Sequence, residues 1–210
     1  MSVKNITRII LGIISIVLAY FLFEGIMKPQ RFESLKTQKE TEVVNRLKDI
    51  RTAQLAYRSV HGKFCSTLDS LVLFLETGQL PTVRRVGEIP EEMTEAEALR
   101  RRLIRRDTVF TDAYSVLFPD HPNKEAHLAA LKYIPFTNRT KEFTLETGFT
   151  KRSEIDVPVI EVSAHLSDYM IEPEYRQLVI NAIKRAQDMN RFPGRKFGSI
   201  SDPQTEGNWE

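Results

Sequence analysis

The chain has 210 residues, of which 41% are hydrophobic and 28% charged, and its 30 basic and 28 acidic side chains leave a net charge of +2. That balance gives no general drive toward nucleic acid or anionic lipid. The single cysteine, Cys65, excludes an internal disulfide, while the composition is ordinary for a globular protein able to bury a core.

Residues 9 to 23 carry no charge. A helix from Ile6 to Met27 is about 33 Å long at about 1.5 Å per residue, the thickness of a hydrocarbon layer, if Arg8 and Glu24 reach toward the headgroups. Residues 1–30 are therefore expected to form a membrane anchor, with Ile9, Leu11, Ile14, Val17, Tyr20 and Phe23 among its lipid-facing side chains. Phe21 to Pro29 offers no small-residue cutting site, so the anchor is expected to remain uncleaved. No later apolar run approaches the ~18 residues of a second span. Lys4 and Arg8 precede the span and Lys28, Arg31, Lys36 and Lys39 follow it, a count that slightly favours a cytoplasmic soluble part.

Residues 31–60 read as a stalk helix. Val43, Leu47, Ile50, Gln54 and Tyr57 are spaced by four, three, four and three, with Ala53 and Val60 beside the same stripe. The stripe lasts barely two heptads, too short for a coiled coil; it serves either packing on the chain's own domain or an interface. Ser66-Thr67-Leu68-Asp69 resembles a capping box, and Leu68, Leu71, Val72 and Leu75 continue to a stop at Gly78, which predicts a second, short helix.

Residues 82 to 90 suggest a strand or extended link, and Glu91 to Arg106 a helix on which Glu97 precedes Arg101 by four. The arginines from Arg100 to Arg106 lack interleaved aromatic residues and follow four glutamates, so they are read as a solvated face and not as a nucleic-acid site. From Leu131 onward the period becomes two. Phe143, Leu145, Thr147 and Phe149 alternate with polar or small residues, as do Ile160, Val162, Ala164 and Leu166, which predicts half-buried antiparallel strands with Pro135 and Pro158 at edges or strand starts. A last helix follows Pro173, with Tyr175, Leu178, Val179, Ala182, Ile183 and Ala186 on one face. Residues 61–192 thus form an α+β soluble domain, and 193–210 a C-terminal tail, frayed by default, whose Trp209 is its one docking group.

Chemistry-bearing groups are few. Cys65 follows His61 by four, the partners of an activated thiolate, yet Gly62 interrupts the helix that would align them. Asp120 to His127 contains metal-ligand types at a spacing that matches no standard motif, so no metal site is expected. His165 shares a strand face with Glu161 and Ser163. Phosphate-loop, dinucleotide and zinc-protease patterns are lacking, and neither a cofactor nor a small-molecule substrate is indicated.

Residues 46 to 81 resemble the region of type IV pilins and major type II secretion pseudopilins where the long helix enters the globular head. Arg51, Gln54, Ala56, Tyr57, His61, Gly62 and Phe64 carry the match, followed by Leu68, Leu71, Gly78 and Pro81. The resemblance implies an N-terminal helix anchored in the inner membrane, a periplasmic head, and partners among envelope proteins or copies of itself besides lipid. The family's prepilin leader, with a glycine before the apolar helix and a glutamate at the fifth mature residue, has no expected counterpart here, since the only glutamate of the run is Glu24 at its far end.

The resulting expectation is an α+β protein: an N-terminal transmembrane helix continuing into a long amphipathic helix, then a small antiparallel sheet with packed helices. Its expected role is a non-catalytic subunit of a secretion or surface-assembly complex. The alternative is a membrane-tethered enzyme or sensor using His61 with Cys65, or His165 with Glu161.

Overall fold

One helix, α1 (Val3–His61), runs for 59 residues and organises everything that follows it. The computed structural model describes residues 3–86, 94, 97, 100, 101 and 105–210. At about 1.5 Å per residue α1 is about 89 Å long, more than a small domain can cover. It passes through Pro29, which has no N–H and so leaves the Gly25 carbonyl without its helical donor. Beyond Pro29 the first buried apolar side chain of α1 is Phe32, whose ring tilts against Tyr175 at 5.7 Å. The helix stops where Gly62 takes a φ of 71°, with its N–H donating to the Arg58 carbonyl at 2.8 Å; this left-handed geometry is free for glycine and strained for other residues.

Helix α2 (Leu68–Thr77) folds back on α1 with Leu68, Leu71, Phe74 and Leu75 inward. Its cap is Thr67, whose hydroxyl accepts from the Ser70 N–H at 3.2 Å, one residue later than a Ser66 box would place it. Asp69 does not reach back to a cap; it takes an ammonium hydrogen bond from Lys132 at 2.8 Å. Strands β1 (Gln79–Val86) and β2 (Arg105–Asp112) then pair antiparallel, from Gln79 opposite Asp112 to Val86 opposite Arg105. The helix expected over residues 91–106 is thus cut short: Arg105 and Arg106 belong to β2, opposite Val86 and Arg85, because ladder pairing with β1 outweighs their helical preference. Most of the remainder lies outside the described residues, although Arg101 and Glu97 form the four-apart ion pair at 2.8 Å.

Two short helices follow, α3 (Ala113–Leu117) capped by Asp112 and α4 (Lys124–Leu131) capped by Asn123. The second sheet has the order β3-β4-β5, with β3 (Thr144–Arg152), β4 (Ile155–His165) and β5 (Gly194–Ser199) all antiparallel. Between β4 and β5 lie α5 (Leu166–Tyr169), a 3-10 turn (Pro173–Tyr175) and α6 (Arg176–Asp188). The fold is α+β: a long, N-terminally apolar helix with, among the described residues, two small antiparallel sheets.

Period-two burial is clear in β4, where Ile160, Val162 and Ala164 face inward between half-exposed Glu161, Ser163 and His165. Pro158 lies in the part of β4 that pairs only with β3, since β5 joins at Ile160, so its missing N–H costs no ladder bond on the β5 side. Leu166, expected to continue the strand, starts α5 instead. Phe149 is solvent-exposed and not inward, on the wall of an open cleft shared with Tyr57, Phe64 and Cys65.

Residues 193–210 are not a frayed tail. β5 closes the sheet against β4, Phe197 is buried, and Trp209 packs on the core. Gly198 has a φ of 78°, and a Cβ there would stand 2.0 Å from the Ile160 carbonyl oxygen, so the strand's close approach requires glycine. The last residue is tied down as well: Arg51 donates to the Glu210 carboxylate at 2.6 Å and to the Thr205 carbonyl at 3.3 Å.

The Arg51 hydrogen bond holds the Glu210 carboxyl below the usual glutamate range. Stability from this contact is present above the unfolded-state value and is lost as pH falls through the lower folded value. The protection factors of amides 205–210, exchange rates divided by the intrinsic rate at the same pH, should therefore fall on acidification, and Arg51→Gln should remove that dependence. A buried amide makes a stronger claim. Gln54 donates through Nε2 to the Cys65 carbonyl at 3.0 Å and accepts through Oε1 from the Cys65 N–H at 2.9 Å. Gln54→Leu strands both backbone groups in the core and should destabilise the full-length protein by about 3 kcal/mol in denaturant titration.

Candidate functional site

Two regions distinguish this molecule: the surface of α1, and a side-chain cluster where α1 meets α4. From Leu11 to Ile26 the large apolar side chains of α1 have no protein cover. Leu11, Ile14, Val17, Tyr20 and Phe23 are all among them, with exposures from 46% to 63%; the side chain of Ile9 lies outside the described residues. This stretch is apolar on every side, and it meets the length and composition needed to cross a membrane.

The second half of α1 is buried on one face only. Val43, Leu47, Ile50 and Gln54 are fully enclosed, and Tyr57 is half-buried, stacked on His61 at 4.1 Å and edge-on to Phe74 at 5.2 Å. The partners of this stripe are the chain's own β4, β5, α2 and α4. It is therefore core, and the surface left to another protein is the opposite face of the helix.

Charge also anchors α1. Lys39 is 6% exposed and donates to the Tyr169 carbonyl at 2.8 Å and to Glu172. The adjacent Glu40 takes a salt bridge from Arg195 of β5 and a hydrogen bond from the Tyr169 hydroxyl at 3.4 Å. Burial, with the Glu40 charge added to it, pushes the Tyr169 hydroxyl well above its ordinary value. No sequence pattern marked these residues, because Lys39 and Glu40 sit in a run of polar residues typical of solvent.

The polar groups singled out from the sequence are occupied structurally. Cys65 is buried with its Sγ donating to the Thr67 carbonyl at 3.3 Å, while His61 is exposed and engages the Tyr57 carbonyl at 3.2 Å. Glu161 accepts from Lys196 at 2.9 Å. His165 caps α5, its Nδ1 lying 2.7 Å from the Ser167 hydroxyl. Neither pair has the hydrogen bond between nucleophile and base that the chemistry requires.

The structure does bring two histidines of one segment together with a carboxylate far away in sequence. His127 is nearly enclosed, its Nε2 is 3.3 Å from Asp49 Oδ2, and its Nδ1 is 3.0 Å from the Tyr114 hydroxyl. His121, exposed in the loop before α4, stacks on His127 with centroids 3.9 Å apart and 5° between the planes. Motif spacing could not reveal this cluster, since Asp49 stands 78 residues from His127.

No known protein family model matches the chain, and neither a curated protein nor a solved structure matches it.

The difference between capping and buried pairing is measurable. His165→Ala removes a helix cap and should cost about 1 kcal/mol in denaturant unfolding. Glu40→Ala leaves Arg195 without its carboxylate in a mostly enclosed position and should cost about 3 kcal/mol.

Proposed function

We propose that this protein is a single-pass, membrane-anchored, pilin-like subunit of a bacterial envelope complex, non-catalytic and of the secretion or surface-assembly kind. One observation carries the reading: a single unbroken helix changes from apolar on all sides to apolar on one side, and the change falls where the head begins, near Phe32. Water penalises the uncovered half at about 25 cal/mol for each Å² of apolar surface, whereas a bilayer accepts it. The second half carries the head, wrapped by an antiparallel sheet, as a pilin's helix does.

Local geometry supports the pilin-like part. The segment that resembles pilins closes around Tyr57, Gly62 and Phe74 at the end of α1, and Leu68 and Leu71 of α2 pack back on the helix. On this reading the anchor sits in the inner membrane and the head is periplasmic. The partners are lipid around residues 6–27 and, on the solvent face of α1, other envelope proteins or further copies of the chain.

Three measurements test the proposal. Alkaline carbonate should leave the full-length protein in the membrane pellet; release into the supernatant removes the anchor. Alkaline phosphatase fused after Glu210 should be active, whereas activity of a cytoplasm-dependent fluorescent reporter at that position removes the periplasmic head. Leu55→Cys, on the exposed face of α1, in a Cys65→Ser background should yield disulfide-linked or cross-linked neighbours in native membranes, and a strictly uncrosslinked chain removes the solvent face of α1 as the partner surface.

A further inference from the structure

We infer that Asp49, His121 and His127 form a binding site for one divalent transition-metal ion of the zinc type. The inference stands apart from the membrane role, because it uses only side chains of the head. The three residues come from three places: Asp49 from the enclosed half of α1, His127 from α4, and His121 from the loop between α3 and α4. One donor atom from each lies within 4.8 Å of the others.

Spacing is the first support. Two ligands, each about 2.05 Å from a tetrahedral ion, are about 3.3 Å apart. His127 Nε2 and Asp49 Oδ2 are 3.3 Å apart, so their separation already matches that of two ligands on one ion, and the imidazole has only to tilt its Nε2 lone pair off the line to Asp49. The third ligand must move. Lone pairs of two stacked imidazoles run parallel and do not converge, so His121 has to turn out of the stack. Its exposure gives it room, and its ring nitrogens have no hydrogen-bond partner among the described residues.

The outer partner is the second support. A metal-bound imidazole needs its other nitrogen held by a hydrogen bond that fixes tautomer and ring plane. Tyr114 supplies this at 3.0 Å from Nδ1, and its ring is itself buried between Phe118 and His127. An ion bound at Nε2 requires the ring proton on Nδ1, from which it would be donated to the Tyr114 oxygen. Of the nearby cations, Arg46 acts on Asp49 through its charge, but its guanidinium and the Lys124 ammonium hydrogen-bond to other groups. Arg46 donates to the Ala130 carbonyl, and Lys124 lies 3.3 Å from the Asp112 carboxylate.

The donor set identifies the ion's class. Two imidazoles and one carboxylate suit zinc, cobalt or nickel, while calcium and magnesium require oxygen donors throughout. With three protein ligands, the fourth position of a tetrahedral ion would take water. Such an ion would tie the α3–α4 loop and α4 to α1.

The test uses the full-length chain in detergent, stripped with a chelator and titrated with Zn²⁺ by calorimetry and by thermal unfolding. One ion per chain and a rise in Tm are expected with Zn²⁺ and not with Mg²⁺. His121→Ala removes a ring stacked on His127 and should lower the metal-free Tm only slightly, but it should lose the Zn²⁺-dependent rise and weaken binding more than about tenfold. Tyr114→Phe, which keeps all three ligands, should weaken binding by about ten- to a hundredfold. Cys65→Ser should bind as the parent does, separating the site from thiolate binding. Failure of the parent chain to take up Zn²⁺ at tens of micromolar, or parental affinity in His121→Ala, overturns the inference.

Discussion

The structure depends on one helix with two different surfaces. An α-helix satisfies its own backbone, so α1 can extend past the domain that holds it without exposing unpaired amides, which no strand or loop could do in an apolar phase. Side chains alone decide where each half belongs. Residues 11–26 are apolar around the whole circumference, whereas from Phe32 the apolar positions narrow to one face. The head is built onto that narrow face, with α2, α4, β4 and β5 packed against it.

A uniform apolar stripe does not by itself fix how far along the helix the head sits, because sliding by one turn would bury similar residues. Lys39 and Glu40 break that degeneracy. Their partners, Glu172 and Tyr169 on one side and Arg195 on the other, come from separate elements that meet α1 at one axial position. A slip of one turn, about 5.4 Å, would separate partly buried charges from their counterions, at a cost of several kcal/mol each. Buried ion pairs add little to stability compared with apolar replacements, so register is the stronger reason for them here.

How much of this was legible in the residues follows from the range of each signal. The helical stripe from Val43 to Tyr57 and the alternation from Ile160 to Ala164 are periodic, and local period reports which side of an element is buried. β5 escaped because Gly-Arg-Lys-Phe-Gly-Ser offers one large apolar side chain, and its strand character comes from pairing with β4. Thr67 displaced Ser66 as a cap because the two hydroxyl residues are adjacent and local chemistry does not choose between them. Arg105 and Arg106 read as helix and fold as strand for a related reason: intrinsic preference is worth tenths of a kcal/mol, and ladder pairing exceeds it.

The Asp49–His121–His127 cluster shows a different limit. Within residues 120–127 the two histidines form no known motif, and local reasoning sees only their spacing and the intervening Pro122. Assembly of the site needs α4 to dock on α1, a result of Leu128 and Leu131 entering the same core as Leu47 and Ile50. That docking turns His127 inward toward Asp49, and Asn123, by capping α4, sets where the His121 loop ends. A polar cluster placed by apolar packing leaves no trace in spacing, and in this chain the packing on α1 is what brings metal-ligand chemistry together.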